Sequence, residues 1–180
     1  MKKYICLISV LAFFLSARSQ TYMTKNGFIG FYSKTSLEDI KAENNQVYAI
    51  VDAGKKNLAF TLLLKGFIFP KELMQEHFNE NYVESDKYPK ASFSGGYTGD
   101  LNAEKDGVYQ VLVKGNMNLH NVTRPVEIPA TIEISQGKLS GHASFKMKPE
   151  DYDISIPSLV RDKIAREMNV EVRISCNNVK

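Results

Sequence analysis

Residues 126–147 read VEIPATIEISQGKLSGHASFKM, and apolar and polar side chains alternate along them with one interruption at residues 135–137. Successive side chains of a strand point to opposite faces, so this pattern predicts two strands with one buried and one solvated face each. The Ser-Gln-Gly interruption predicts a turn that joins them as a hairpin. The buried face would carry Val126, Ile128, Ala130, Ile132, Ile134, Leu139, Gly141, Ala143, Phe145 and Met147.

The same alternation recurs along most of the chain and predicts about eight short strands. Besides the hairpin, we predict strands at residues 28–33, 46–52, 57–69, 91–97, 108–119 and 168–174. The proline-initiated stretches 70–83 and 157–165 predict two short helices, and the polar segment 34–45 predicts a turn or short helix. An all-β antiparallel barrel avoids free sheet edges at this size, and a two-sheet sandwich is the alternative.

The first 19 residues are expected to form a secretory signal peptide. Two lysines follow Met1, the stretch from Tyr4 to Leu15 is almost entirely apolar, and small residues stand at Ala17 and Ser19. About twelve apolar residues are too few for a bilayer core that needs roughly 20, so no stable membrane anchor is expected. The sequence therefore predicts cleavage near Ser19, a single domain over residues 20–180, and a periplasmic or secreted location.

Removal of the signal peptide changes both the charge and the cysteine count. Lys2, Lys3 and Arg18 leave with it, so the mature chain carries 20 basic and 20 acidic residues and offers no basic surface for nucleic acid. Cys6 also leaves, so Cys176 has no intramolecular disulfide partner. We expect a partly buried free thiol at Cys176, and a homodimer linked through it is the alternative.

The sequence contains no recognisable catalytic motif. His77, His120 and His142 lack the spacing of metal ligands within one strand or helix, and we expect them to be structural or solvent-exposed. Asp151 and Asp153 could act as an acid–base pair only if burial separated their pKa values, whereas a solvated turn is expected there. We therefore predict that the protein is not an enzyme and that it binds no metal or cofactor.

The inward-facing residues of the predicted barrel mix bulky and small side chains. Phe60, Leu62, Tyr109 and Phe145 alternate with Gly115, Ala130, Gly141 and Ala143. Barrels of eight strands are either filled by their own side chains or leave room for one ligand. The small residues favour a ligand cavity only slightly, so both readings stay open on these grounds.

Three motifs resemble those of the YceI-like family, and they extend the similarity over residues 27–175. They are the block from His77 to Phe93 (HFNENYVESDKYPKASF), the block from Lys114 to Val126 (KGNMNLHNVTRPV), and the residues from Phe145 to Ser158. The resemblance implies an exported bacterial protein with an extended lipocalin-like β-barrel. It also implies a tunnel that holds a polyisoprenoid, a quinone-like molecule or another lipid.

The chain departs from the family in one place. Many members carry an Arg-Asp pair before the helix, where this sequence reads Phe69-Pro70-Lys71-Glu72-Leu73-Met74. It resembles a shorter branch of the family more closely. A smaller or completely filled barrel interior is therefore an alternative for this chain.

The leading hypothesis is a barrel that binds an apolar small molecule, for transport, storage or stress response. A ligand-free structural or stress protein with a filled barrel is the alternative. A metal-assisted hydrolase that uses Asp151, Asp153 or the histidines is a further one. The helix at residues 70–83 is expected to cap one end of the barrel. The residues expected to line the interior are Phe60, Leu62, Leu64, Phe78, Phe93, Tyr109, Val111, Val113, Met117 and Phe145.

Overall fold

The computed structural model describes residues 20–179, so the predicted signal peptide lies outside the described residues. Eight antiparallel strands follow one another in chain order, and β8 pairs with β1 to close the barrel. The strands are β1 (Thr21–Lys34), β2 (Asp39–Asp52), β3 (Asn57–Leu63), β4 (Lys90–Thr98), β5 (Gly107–Leu119), β6 (Val122–Ser135), β7 (Lys138–Met147) and β8 (Met168–Asn178). The predicted barrel is confirmed, and the two-sheet sandwich is wrong.

The polar segment 34–45 was expected to be a turn or short helix, and this expectation is wrong for most of it. The turn is confined to the residues between β1 and β2, where the backbone N–H of Glu38 donates to Oγ1 of Thr35 at 3.0 Å. From Asp39 the chain is already strand β2, with Ala42 and Asn44 buried between solvated neighbours. A strand shows no apolar–polar alternation in its sequence when its inward residues are themselves small or polar.

The predicted strand 57–69 ends earlier, at Leu63. A 3₁₀ turn, Leu64–Gly66, follows it and places Leu64 and Phe67 in the core, each at most 5% exposed. The side-chain amide of Asn44 donates to the Leu63 carbonyl at 3.0 Å, which satisfies a group that strand pairing would otherwise bind. The segment carries apolar residues on both predicted faces because the chain changes direction after Leu63, so that residues beyond it enter the core from the turn.

Both predicted helices are shorter than expected. Helix α1 spans Glu72–His77, and the wider π turn Phe78–Tyr82 continues it with the Val83 N–H donating to the Phe78 carbonyl at 2.9 Å. The stretch 157–165 contains only a 3₁₀ turn, Ser158–Val160. Within residues 20–179, no helix is long and apolar enough to cross a membrane.

Strands β6 and β7 pair over only part of their length. Their ladder runs from Ser135↔Lys138 to Ala130↔Ala143 and stops there, although both strands continue. The β5–β6 ladder continues unbroken past Pro125 and Pro129, so both prolines must turn their ring nitrogens toward β7. Because proline has no N–H to donate, Pro129 ends the β6–β7 ladder.

The buried residues form two clusters, one toward each end of the barrel. We call upper the cluster that contains Tyr22, Val51, Leu58, Tyr97, Val111, Ile134, Leu139, Ile174 and Cys176. We call lower the cluster that contains Phe31, Leu62, Leu64, Phe67, Phe69, Val83, Leu119, Tyr152, Ile154 and Val170. Helix α1 and the π turn pack against the lower cluster through Met74, Phe78 and Tyr82, as expected for a cap at one end.

Candidate functional site

The barrel interior holds two adjoining cavities. The upper cavity has a volume of about 140 Å³ and a wall that is almost wholly apolar. The lower cavity, of about 460 Å³, extends from the middle of the barrel to the end covered by helix α1. An engineered cavity of about 150 Å³ with an apolar lining binds benzene, so both spaces are large enough for ligand atoms.

Small side chains account for the upper cavity. Ala130 and Ala143 face each other at the last rung of the β6–β7 ladder, and both line the cavity with Gly141. A Cβ on Gly141 would lie 3.0 Å from Cγ1 of Ile174, its partner on β8, so the Ile174 side chain occupies the space beside Gly141. The space at this point of the cavity is therefore left chiefly by Ala130 and Ala143.

Gly115 was grouped with these small inward residues, but it has a different role. It is paired with Gly95 of β4, and a Cβ on Gly115 would lie 2.7 Å from the Gly95 Cα. Its absence from the wall of either cavity fits this close backbone approach. Two glycines let β4 and β5 come together where any side chain would clash.

An aromatic cluster forms one wall of the lower cavity. Its central member is Phe78, whose ring centroid lies 5.1 Å from that of Phe69, 5.5 Å from that of Phe31 and 5.6 Å from that of Phe67. Tilted and edge-on ring pairs at these separations are favourable beyond the area they bury. The cluster joins β1, the segment after β3 and the π turn, so the cap is held to the barrel by the same rings that line the cavity.

The two cavities meet at a belt of shared side chains. Ile29, Leu62, Ala91, Met117 and Phe145 line both of them, and we call this set the belt. Met117 has three rotatable bonds and adapts easily to its neighbours. A change of its rotamer is therefore the simplest way to join the two spaces into one tunnel.

Among the described residues, the acidic and basic side chains that line the lower cavity lie at its outer rim: Glu38, Lys71, His77 and Lys163. His142 is counted with the upper lining, but its ring is exposed on the outer surface. Nζ of Lys71 lies 2.7 Å from Oε1 of Glu38, and this hydrogen bond lowers the pKa of the Glu38 carboxyl. The rim is thus the part of the lining that suits the polar end of an amphiphilic molecule.

Eight of the ten predicted lining residues lie on the cavity walls: Phe60, Leu62, Leu64, Phe78, Phe93, Val113, Met117 and Phe145. Val111 is instead buried within the upper cluster. Tyr109 packs against that cluster, and its hydroxyl donates to the Lys105 carbonyl at 2.8 Å. Contact of any of these residues with a ligand stays a prediction.

Sequence reasoning missed much of the lower wall. Phe31 was within a predicted strand, and its place in an apolar alternation could have identified it. Ile154, Ile156, Val160 and Ile164 come from the segment between β7 and β8, which has no regular period. No pattern in the sequence would have assigned those residues to the cavity.

The polar residues considered for catalysis do not come together. The ring nitrogens of His120 face Glu84 and the Tyr152 carbonyl, whereas His142 is exposed on the outer surface beside Glu171. The side chains of Asp151 and Asp153 are also solvent-exposed. Among residues 20–179, no three His, Cys, Asp or Glu side chains are grouped as a metal site.

A family model described as the YceI-like domain matches residues 20–176. The polyisoprenoid binding domain from Saccharophagus degradans, implicated in plant cell wall breakdown, has a TM-score of 0.75 at 11% identity, over 90% of this chain and 100% of that chain. Burkholderia cenocepacia BcnA has a TM-score of 0.70 at 13% identity, over 83% and 95%. The Campylobacter jejuni YCEI protein has a TM-score of 0.66 at 15% identity, over 82% and 90%. No curated protein matches the chain.

Proposed function

The chain belongs to the YceI-like family, and from that premise we propose that it binds one apolar, chain-like molecule inside the barrel. The supporting observation is the pair of adjoining apolar cavities, with Glu38, Lys71 and Lys163 at the outer rim of the lower one. A ligand of isoprenoid or other lipid type would place its polar end at the rim and its chain along the belt. The protein would then act by carrying or storing this molecule rather than by changing it.

The size of the hydrophobic term sets a lower limit on the ligand. Each CH₂ removed from water contributes about 0.8 kcal/mol, whereas association costs roughly 4–15 kcal/mol of translational and rotational freedom. A chain of about a dozen buried carbons therefore offsets the middle of that range of costs. Small apolar solutes would not occupy the barrel at low concentration.

Export is part of the proposal. Residues 1–19 have the composition of a signal peptide, and a carrier of a water-insoluble molecule is needed in an aqueous compartment such as the periplasm. N-terminal sequencing of the protein secreted from cells that express the full chain tests this directly. A mature chain that begins at Gln20 supports export, and a retained Met1 contradicts it.

The binding proposal is tested on the exported protein as purified from cells. Native mass spectrometry should detect a complex that loses one apolar molecule per chain, and solvent extraction should recover that molecule for identification. The alternative of a filled, ligand-free barrel predicts the bare mass and no binding of added prenyl alcohols. A stoichiometric metal ion would favour the hydrolase hypothesis instead.

A further inference from the structure

The two cavities differ in a way that bears on ligand length. The lower one opens to a charged rim that includes Lys71 and Lys163, whereas the upper one has an apolar wall. A bound amphiphile therefore has only one favourable orientation, because turning it around would bury its polar end without partners. The free end of its chain must point into the upper cavity.

Buried side chains form the far side of the upper cavity. Leu139 and Val51 line it there and are 0% and 2% exposed. The other members of the upper cluster, among them Tyr22, Ile134 and Cys176, are also buried, and the Tyr97 hydroxyl donates to the Ala53 carbonyl at 3.2 Å. A chain that enters from the rim thus meets a wall, because close-packed protein interiors do not yield easily to an extra group.

The volumes convert to a chain length. The upper cavity of about 140 Å³ matches the space that holds one six-carbon ring, and the lower cavity of about 460 Å³ is roughly three times as large. Together they accommodate about 24 carbons once the belt opens at Met117. An isoprenoid of four to five units fits this space, and one of eight units does not.

We propose that the barrel is a length-selective site for a single apolar chain of about 20–25 carbons, with its terminal unit stopped against Ala143, Gly141 and Leu139. This inference rests on the proposed function and adds to it a ligand size class. The belt admits the end of the chain, and the buried side chains at the far side of the upper cavity set the limit. Longer chains would have to leave their excess carbons in water at the rim.

The length limit is tested with prenyl alcohols of 10, 15, 20 and 45 carbons, added to the delipidated mature protein. Their affinities are measured from the displacement of a fluorescent fatty alcohol. Affinity should rise at least tenfold per isoprene unit up to 20 carbons, since each unit buries several carbons more, and then cease to rise. If the affinity kept rising by the same factor for each added isoprene unit up to 45 carbons, the length limit would be wrong. Failure of every alcohol to bind would instead overturn the proposed function itself.

A variant locates the limit. Ala143→Leu fills the upper cavity and should weaken binding of the 20-carbon alcohol at least tenfold while it leaves the 15-carbon alcohol unchanged. Ser144→Leu, the next residue on the outer face, is the matched control and should change neither. Equal losses for both alcohols in Ala143→Leu would contradict a stop at this position. If that variant does not fold, the wild-type length series alone still decides the question.

Discussion

His120 Nε2 lies 3.0 Å from Oε2 of Glu84, and the other ring nitrogen, Nδ1, lies 3.1 Å from the carbonyl oxygen of Tyr152. The Tyr88 ring meets the imidazole nearly edge-on, with centroids 4.6 Å apart. Glu84, His120 and Tyr152 each belong to a different one of the three motifs that resemble the family. The motifs therefore meet at one joint, where the β5–β6 hairpin is tied to the segments that follow α1 and β7.

The pH dependence of this joint follows from Glu84. Its hydrogen bond with His120 lowers the pKa of the carboxyl below the ordinary value of 4.5, so the stability it adds is present above that value and is lost as the pH falls through the lowered pKa. Glu84→Gln should therefore be less stable than wild type at neutral pH, and the difference should shrink in acid. Urea unfolding at several pH values measures it.

The control for that series is Glu80→Gln, a solvent-exposed carboxylate in the neighbouring π turn. It should unfold like wild type at each pH. A Glu84→Gln deficit that stays constant down to acid pH would show that the carboxylate charge is not what stabilises the joint.

Loss of the imidazole should cost more than loss of the carboxylate. His120→Ala leaves the carbonyl of the buried Tyr152 without its partner, and an unsatisfied buried polar group typically costs about 1–3 kcal/mol. The matched variant His142→Ala removes an outer-surface ring that is 55% exposed and should change stability by less than about 0.5 kcal/mol. Equal effects of the two substitutions would mean that the joint adds nothing.

Cys176 should be unreactive while the barrel is folded. Its side chain is fully buried, and burial raises the pKa of the thiol to about 11. Because the thiolate is the nucleophile, labelling by a disulfide reagent at mildly alkaline pH should follow opening of the barrel. The double variant Ser175→Cys/Cys176→Ser moves the thiol to the exposed face and should react at once; equal rates would refute the burial of Cys176.

The unpaired part of β7 should exchange its amide protons quickly. Backbone N–H groups alternate in direction, so the Ser144 N–H still reaches the Pro129 carbonyl at the last rung of the ladder, whereas the Lys146 N–H points toward β6 beyond it. Those of Ser140 and His142 lie within the ladder and should exchange much more slowly. Equal protection along all of β7 in a hydrogen-exchange experiment would contradict the early end of the ladder.

The sequence allowed the strands and their inward faces to be predicted because a half-buried strand must alternate. Residues 126–147 form the predicted hairpin; the structure begins β6 four residues earlier, at Val122, and β7 spans Lys138–Met147 as predicted. The prediction failed in segment 34–45, where the inner positions of β2 are occupied by Ala42 and the polar Asn44. A pattern based on hydrophobicity cannot detect a buried asparagine that is held by a hydrogen bond.

The cavity itself was less predictable than its wall. Phe60, Met117 and Phe145 could be assigned to the interior from strand alternation alone. The space between these side chains depends on where the segment after β7 folds back against the barrel. It also depends on whether a small residue leaves room inside the barrel or lets two strands approach closely. Gly141 lets the side chain of Ile174 pack over it at the cavity wall, and Gly115 permits a close approach of two strands, yet both are glycines at inward positions.

The most direct test of the account is to locate a bound chain inside the barrel. Isotope-filtered NMR of the mature protein with a 20-carbon prenyl alcohol should give contacts from the chain to the methyl groups of Met117 and Ala143, which lie at the belt and in the upper cavity. Contacts confined to outward-facing apolar residues such as Ile50 and Leu63, which are 44% and 51% exposed, would contradict an interior site.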